Sequence, residues 1–306
     1  MNKFKNKRMT KTLIFILVIV GLFLIIISVN NKMNKNFTVR EKTLTYKNIS
    51  PVFDNYKILQ LSDLHSKEFG KNNSELITTI KKINPDLILV TGDMFTINEI
   101  SINMNEEELS PYKLLSQLAP YYKIIYTSGN HEEGKDIIYN GDDYTSRDRT
   151  KDNAYNRYRS KLESLGVIFV ENTYTKVYLD DNNLNSDFIN VYGVYYESME
   201  KDEYYQSISI DKTKFNIMLC HDPKYFDIFA DMGFDLVLSG HVHGGVIRLP
   251  FLGGLLSPDR KLFPKYDKGI YKINDSYMNV STGLGYSTIT RVFNPPEINL
   301  LTLKTK

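Results

Sequence analysis

The chain opens on an unbroken apolar run from Leu13 to Val29 and then alternates short apolar segments, polar turns and amphipathic segments. The opening run is slightly shorter than the ~20 residues that span a bilayer comfortably. Lys3, Lys5, Lys7, Arg8 and Lys11 precede it, and Lys32, Lys35 and Arg40 follow it less densely. The positive-inside rule therefore places the N-terminus in the cytoplasm and the rest of the chain outside, as a single-pass protein of the cell membrane. The expected organisation is a basic cytoplasmic tail over 1–12, a transmembrane anchor over 13–29, a polar tether over 30–36 and one domain over 37–306. A cleaved signal peptide has the same basic start and apolar middle. Against it, Ser28-Val29-Asn30 is a poor cleavage site, and the chain has neither a lipobox cysteine nor a twin-arginine pair.

Beyond the tether the periodicity reads as strands and helices in turn. Residues 37–46 alternate as a strand, and 56–61 form an apolar run leading into Asp63. Leu76, Ile77, Ile80 and Ile83 fall at helical spacing before Asn84-Pro85 stops the pattern. Leu87 to Val90 is a continuous apolar run, as a strand buried on both faces should read. Helices follow at 112–118 and 153–165, with Gly166 closing the second. Further strands are expected at 123–126, 167–170, 215–219 and 236–238. Helices between strands with short connections imply crossovers and a mixed or largely parallel sheet. Ligands then gather at the carboxyl ends of the strands. The strand-rich stretches 174–194 and 269–303 predict a second sheet, and the whole an α/β sandwich.

Composition changes this picture little. A hydrophobic fraction of 42% and a charged fraction of 24% leave room for a sizeable core. A net charge of +2, with no lysine-rich stripe after the first dozen residues, argues against a dedicated nucleic-acid binder. Cys220 is the only cysteine, so no internal disulfide forms, and it reads as a buried strand residue. No phosphate-binding P-loop, dinucleotide fingerprint or nucleophile elbow occurs, which disfavours nucleotide-driven motors and serine hydrolases.

The histidines carry the chemistry. All five (His65, His131, His221, His241 and His243) lie within two residues of an Asp, Asn or Gly. Neutral imidazole with carboxylate and amide oxygen suits Mn, Fe, Zn, Co or Ni, whereas Ca and Mg favour all-oxygen shells. Side chains two apart at a strand end point the same way. Asp63 with His65, and His241 with His243, are thus each expected to present two groups to one site. Adjacent Asn130 and His131 are expected to point apart, one to a metal and one free.

The order Asp63-x-His65, Gly92-Asp93, Gly129-Asn130-His131-Glu132, His221 and Gly240-His241-Val242-His243 resembles the calcineurin-like metallophosphoesterase superfamily over roughly residues 45–306. Residues 244–250 and 291–297 resemble its bacterial membrane-associated YkuE/YaeI-type phosphodiesterase branch. The resemblance implies a four-layer α/β/β/α metallophosphoesterase sandwich and two divalent transition-metal ions (Mn, Zn or Fe). It also implies a role for each residue. Asp63, His65 and His243 would hold the first ion, Asn130, His221 and His241 the second, and Asp93 would bridge them. His131 would stay unligated as the catalytic acid, while metal-bound hydroxide attacks a phosphodiester. One position departs from the pattern: Thr96 stands where the family usually has an Asp that orients the catalytic histidine. Thr96 itself and Glu132 are the candidates for that task.

The anchor, together with the apolar stretch Leu249 to Lys265, directs the expected substrate toward lipid or cell-envelope phosphodiesters. An alternative is a lipid-precursor pyrophosphate hydrolase of the UDP-diacylglucosamine type, which would need a cytoplasm-facing site against the charge asymmetry. Another is a non-catalytic, metal-stabilised binding protein, for which only Thr96 speaks. The charged segment 132–152 is read either as a solvated loop or as a substrate lid contributing Arg147 or Arg149.

Overall fold

A computed structural model of the chain describes residues 2–96, 105–133, 149–180, 183, 185–249, 251–258, 260–286 and 290–306, without the side chains of 2–10, 149–153 and 202. The segment read as a lid lies largely outside these residues. Arg147 is not described, nor is the side chain of Arg149.

Helix α1 (Asn2–Lys35) is long and apolar enough to cross a membrane. Its large apolar side chains between Leu13 and Val29 are all exposed, so it is not a core helix of the domain. It also runs unbroken through the stretch expected to be a tether. No Gly or Pro interrupts that stretch, and Asn30 and Asn34, one turn apart on the same face, are buried against the domain. Both donate their side-chain amides to the Arg291 carbonyl, at 2.9 and 2.8 Å. The Asn30 side-chain oxygen accepts from the Phe293 N–H at 2.9 Å.

The domain begins with β1 (Thr38–Tyr46), β2 (Lys57–Leu61), α2 (Ser74–Ile83), β3 (Leu87–Val90), α3 (Ser110–Leu118), β4 (Ile124–Tyr126), α4 (Arg149–Ser164) and β5 (Ile168–Phe169). It continues with β6 (Thr173–Tyr178), β7 (Phe188–Gly193), α5 (Asp202–Ser207), β8 (Asn216–Leu219), α6 (Phe226–Met232) and β9 (Leu236–Ser239). The hairpin β10 (Ile247–Leu249) and β11 (Gly253–Leu256) follows, then β12 (Gly269–Ile273), β13 (Ser276–Val280) and β14 (Glu297–Thr305). One sheet runs β1-β14-β2-β3-β4-β5 and the other β12-β13-β9-β8-β7-β6. Strands β2, β3, β4 and β5 are mutually parallel, as are β7, β8 and β9.

Three apolar clusters define the layers. Leu59, Leu61, Ile88 and Val90 face α2, α3 and α4 through Leu76, Ile80, Leu114 and Tyr158. Ile58, Leu87 and Leu89 face the second sheet through Val191, Ile217 and Leu238. Met218, Val237 and Val280 pack beneath Phe226 and Phe229 of α6. The result is the four-layer α/β/β/α sandwich.

One strand leaves its expected place. The sequence pattern suggests a second sheet for the whole stretch 269–303, but β14 inserts into the first, parallel to β1 and antiparallel to β2. Its two faces explain the position. Ile298 and Leu300 join the helix-side core while Leu301 and Leu303 join the core between the sheets. A strand apolar on both faces is stable only where both are covered.

Candidate metal centre

The two sheets meet at a polar tie just below the site. Gln60 on β2 donates to the Ser239 carbonyl on β9 at 3.0 Å and to Thr91 Oγ1 at 3.1 Å, and it accepts from Asn279 on β13 at 2.7 Å. The tie holds the carboxyl ends of β2, β3 and β9 together, and the loops beyond them carry the histidine and aspartate motifs.

All eight residues singled out from the sequence converge there. Asp63, His65, Asp93, Asn130, His131, His221, His241 and His243 are all buried. Among the described residues, three groups of side chains lie close enough to hold an ion: Asp63, His65 and His243; Asp93, His221 and His241; and His65, Asp93 and His131. His65 Nε2 is 3.2 Å from His243 Nε2, which is 3.7 Å from Asp63 Oδ1. His221 Nε2 is 3.0 Å from Asp93 Oδ2, and His241 Nδ1 is 3.1 Å from Asn130 Oδ1. Asp93 Oδ2 also lies 3.9 Å from both His65 Nε2 and His131 Nε2.

Strand alternation is not what aligns these side chains. Asp63, His65, Asp93, His241 and His243 all have positive φ, between 46° and 64°. The left-handed region is costly for residues with a Cβ, and such strain clusters where surrounding structure imposes it for function. Backbone bonds impose it here: the N–H groups of Asp63 and His65 donate to the carbonyls of Gly92 and Asp93. Glycine makes the close approach possible. A Cβ on Gly240 would sit 2.1 Å from Ser62 Oγ and 2.3 Å from Asp63 Oδ2. Gly92, at φ +85°, would place one 2.3 Å from the Gly129 nitrogen.

Each carboxylate is held in place by the opposite loop. Asp63 Oδ1 accepts from the His241 N–H at 3.0 Å, and Asp93 Oδ1 from the His131 N–H at 2.9 Å. Burial pushes the Asp63 carboxyl up. At Asp93 burial acts the same way, but His221 and His131 overcome it and hold the carboxyl well below its ordinary value. Burial lowers His65 to about 3, and it also lowers His243, helped by His65 and Arg291. His221 is the exception. Burial would lower it, but Asp93 raises it to about 10.

These residues fit divalent metal. His221 Nδ1 lies 2.6 Å from the Thr91 carbonyl, to which it donates, leaving Nε2 buried and turned to Asp93 Oδ2 at 3.0 Å. A histidine fixed through one nitrogen to a carbonyl, with the other aimed into a carboxylate and imidazole cluster, is the usual orientation of a metal ligand. His65 Nδ1 is buried without a hydrogen bond.

Sequence reasoning left four contributors without a role, or with a different one. Glu132 was a candidate to orient His131. Its carboxylate is instead taken up by the N–H groups of Asp93 (2.8 Å), Met94 (2.8 Å) and Gly129 (3.0 Å) and by the Tyr126 hydroxyl (2.6 Å). It therefore staples the β3 and β4 loops together. Arg291, 0% exposed, donates to the carbonyls of Gly285 and Thr282 and approaches His243 Nδ1 at 3.4 Å. Asn294 donates to the main-chain carbonyl of His243 at 2.5 Å. The ring of Tyr196 stands against His241, with centroids 5.6 Å apart. The 291–297 stretch carries the branch resemblance, and its packing under the His243 loop is visible only in the structure.

Comparison with known proteins gives the family. Residues 56–245 match the calcineurin-like phosphoesterase family model. The chain is 29% identical over 272 residues to the uncharacterized metallophosphoesterase YkuE of Bacillus subtilis, covering 86% of this chain and 84% of YkuE. It is 25% identical over 253 residues to the phosphodiesterase YaeI of Escherichia coli, covering 81% of this chain and 82% of YaeI. The chain therefore belongs to the calcineurin-like phosphoesterase family and is a hydrolase acting on phosphoester bonds.

Proposed function

We propose that the chain is a dinuclear metal-dependent phosphodiesterase, anchored in the cell membrane by α1 with its catalytic domain outside. The observation that carries the reading is the position of Asp93 among the histidines of both clusters. Asp63, His65 and His243 form one cluster and His221 and His241 another, with Asp93 placed among the second and 3.9 Å from His65 of the first. Asn130, beside His241, completes the second set. Imidazole, carboxylate and amide donors of this kind suit Mn, Zn or Fe. When bound, a pair of such ions supplies a water of lowered pKa and a clamp on the phosphoryl oxygens.

The chain's own residues do the rest. The buried donor set fixes the phosphate's position against the ligand loops, and the low-dielectric walls strengthen every charge interaction inside. Two divalent ions against two carboxylates leave a net positive site that attracts an anionic ester. His131, its backbone tied to Asp93, donates a proton to the leaving oxygen, a contribution typically worth ~10²–10⁴ in rate. The basic residues ahead of Leu13 support a cytoplasmic N-terminus. The name of YaeI, a phosphodiesterase, supports the diester preference.

The test uses the full chain in detergent, stripped of metal and refilled with Mn. Turnover of bis-p-nitrophenyl phosphate should exceed that of p-nitrophenyl phosphate and vanish in Asp93→Asn. Monoester preference, or full activity in Asp93→Asn, would refute the reading.

A further inference from the structure

The route from the protein surface to His65 is walled by the end of α1. A cavity of about 610 Å³ is lined by Asn31, Asn34 and Lys35 of the helix together with His65, Lys67 and Tyr286. That wall is fixed. Lys67 Nζ donates to the Asn34 carbonyl at 2.5 Å, and the Asn34 side chain is bonded to the Arg291 carbonyl. Glu68, also at the cavity, lies 3.7 Å from Lys113, so the lysines dominate its rim.

The height of this cavity above a bilayer follows from the helix. At ~1.5 Å rise per residue, Asn34 stands roughly 7–8 Å beyond Val29, the last residue of the apolar run. The headgroup layer on each side of the hydrocarbon core is roughly 5–8 Å deep. With the apolar run in hydrocarbon, the cavity mouth lies among the headgroups rather than in bulk water.

A second feature is linked to α1 through the same strap. Phe251, Leu252, Leu262 and Phe263 are exposed, Phe251 completely. Arg260 and Lys261 flank them, also exposed, and Lys265 beyond them is paired with Asp227 at 3.0 Å. The hairpin that carries Phe251 is tied to the strap holding α1, because the Arg248 N–H donates to the Val292 carbonyl at 2.9 Å and the next residue, Phe293, bonds Asn30. An apolar patch with a cationic rim, hung beside a membrane-length helix, matches an anionic bilayer surface.

We propose that this cavity takes the phosphodiester headgroup of a membrane lipid, entering sideways from a bilayer on which the apolar apron around Phe251 and Phe263 rests. Lys35 and Lys67 meet the anionic oxygens and the phosphorus faces His65. Water adds its oxygen to phosphorus, one P–O ester bond breaks and the leaving oxygen takes a proton, leaving a phosphomonoester and an alcohol. This substrate assignment rests on the phosphodiesterase reading above.

The test uses the full chain with Mn in phosphatidylcholine vesicles carrying phosphatidylglycerol or cardiolipin. Both carried lipids serve as probe substrates, with bis-p-nitrophenyl phosphate as the soluble comparison. Turnover of a vesicle lipid is expected, and Lys35→Gln with Lys67→Gln should lower the ratio of lipid to soluble-diester turnover about tenfold. An unchanged ratio, or soluble-diester turnover with neither lipid cleaved, would overturn the proposal and leave the phosphodiesterase reading standing. A second readout needs no activity. Phe251→Cys, labelled with a fluorophore while buried Cys220 stays unlabelled, should be quenched by brominated lipid, and an unquenched label would overturn the apron. Quenching without turnover of any diester would refute the phosphodiesterase reading, and the lipid substrate with it.

Discussion

The side-chain amide of Asn34, in the last turn of α1, donates to the main-chain carbonyl of Arg291 at 2.8 Å. The guanidinium of the same arginine lies 3.4 Å from His243. One residue thus joins the apolar helix to the centre that the histidines form. Asn34→Ala removes one of the two amides on that carbonyl, a loss of about 1 kcal/mol in docking. The freed helix end should then be cut by trypsin at Lys32 and Lys35 roughly fivefold faster. Unchanged cleavage rates would mean the contact does not hold the helix in solution.

Arg291→Met should be more damaging. It keeps the apolar stem but leaves the buried carbonyls of Gly285 and Thr282 without their donor. The expected loss is about 2–4 kcal/mol of unfolding free energy, read by urea titration of the metal-free chain. A loss within the error of the titration would show that the guanidinium bears none of the loop's stability.

Gly240→Ala separates fold from site. The added methyl collides with Ser62 Oγ and with Asp63 Oδ2. The Asp63 carboxylate must move while the buried sheets remain intact. Calorimetric titration should show Mn affinity falling about 10–100-fold with the secondary structure unchanged by circular dichroism. Wild-type affinity would mean that Asp63 is not a ligand.

Glu132→Gln tests the staple between the β3 and β4 loops. A glutamine side chain has one acceptor oxygen and one amide nitrogen. It cannot serve the Tyr126 hydroxyl and the Met94 N–H on one oxygen and the Asp93 and Gly129 N–H groups on the other. A cost of about 2–3 kcal/mol is expected, with weaker Mn binding because Asp93 is displaced. Stability equal to wild type would show that the carboxylate is dispensable.

The sequence made the site legible further than the sheets. Helix 74–83 and strand 87–90 were readable because apolar spacing and a Pro stop determine them locally, and both match α2 and β3. The histidine and aspartate motifs were readable because their residue types and order are specific. The place of β14 was not, since pairing with β1 depends on contacts more than 250 residues away in sequence. Nor was the continuation of α1 past Val29. Asn30 to Lys35 is polar and reads as linker until Arg291 and Phe293 supply partners for Asn30 and Asn34. The left-handed backbone at Asp63 and His243 was equally hidden, because tertiary hydrogen bonds impose it.

The buried Glu297 gives a pH dependence. Its carboxylate lies 2.8 Å from Lys268 and 3.1 Å from Arg40 and accepts from the Thr282 N–H. Burial opposes ionisation, but these partners, Lys268 foremost, hold it below the ordinary glutamate value. Lys268 is itself pulled down by burial, which matters only at alkaline pH. Because the folded pKa of Glu297 is the lower one, its contribution is present above the unfolded value and is lost as pH falls through the folded one. Glu297→Gln should therefore flatten the acid limb of stability below about pH 4. An acid limb identical to wild type would show that another group carries it.

The central claim is a pair of ions sharing Asp93, and the most direct measurement is Mn titration of the full chain followed by electron paramagnetic resonance. Ions about 3.5–4 Å apart should bind two per chain and give an exchange-coupled spectrum that Asp93→Asn abolishes. A single ion per chain, or two ions with uncoupled spectra, would contradict the account.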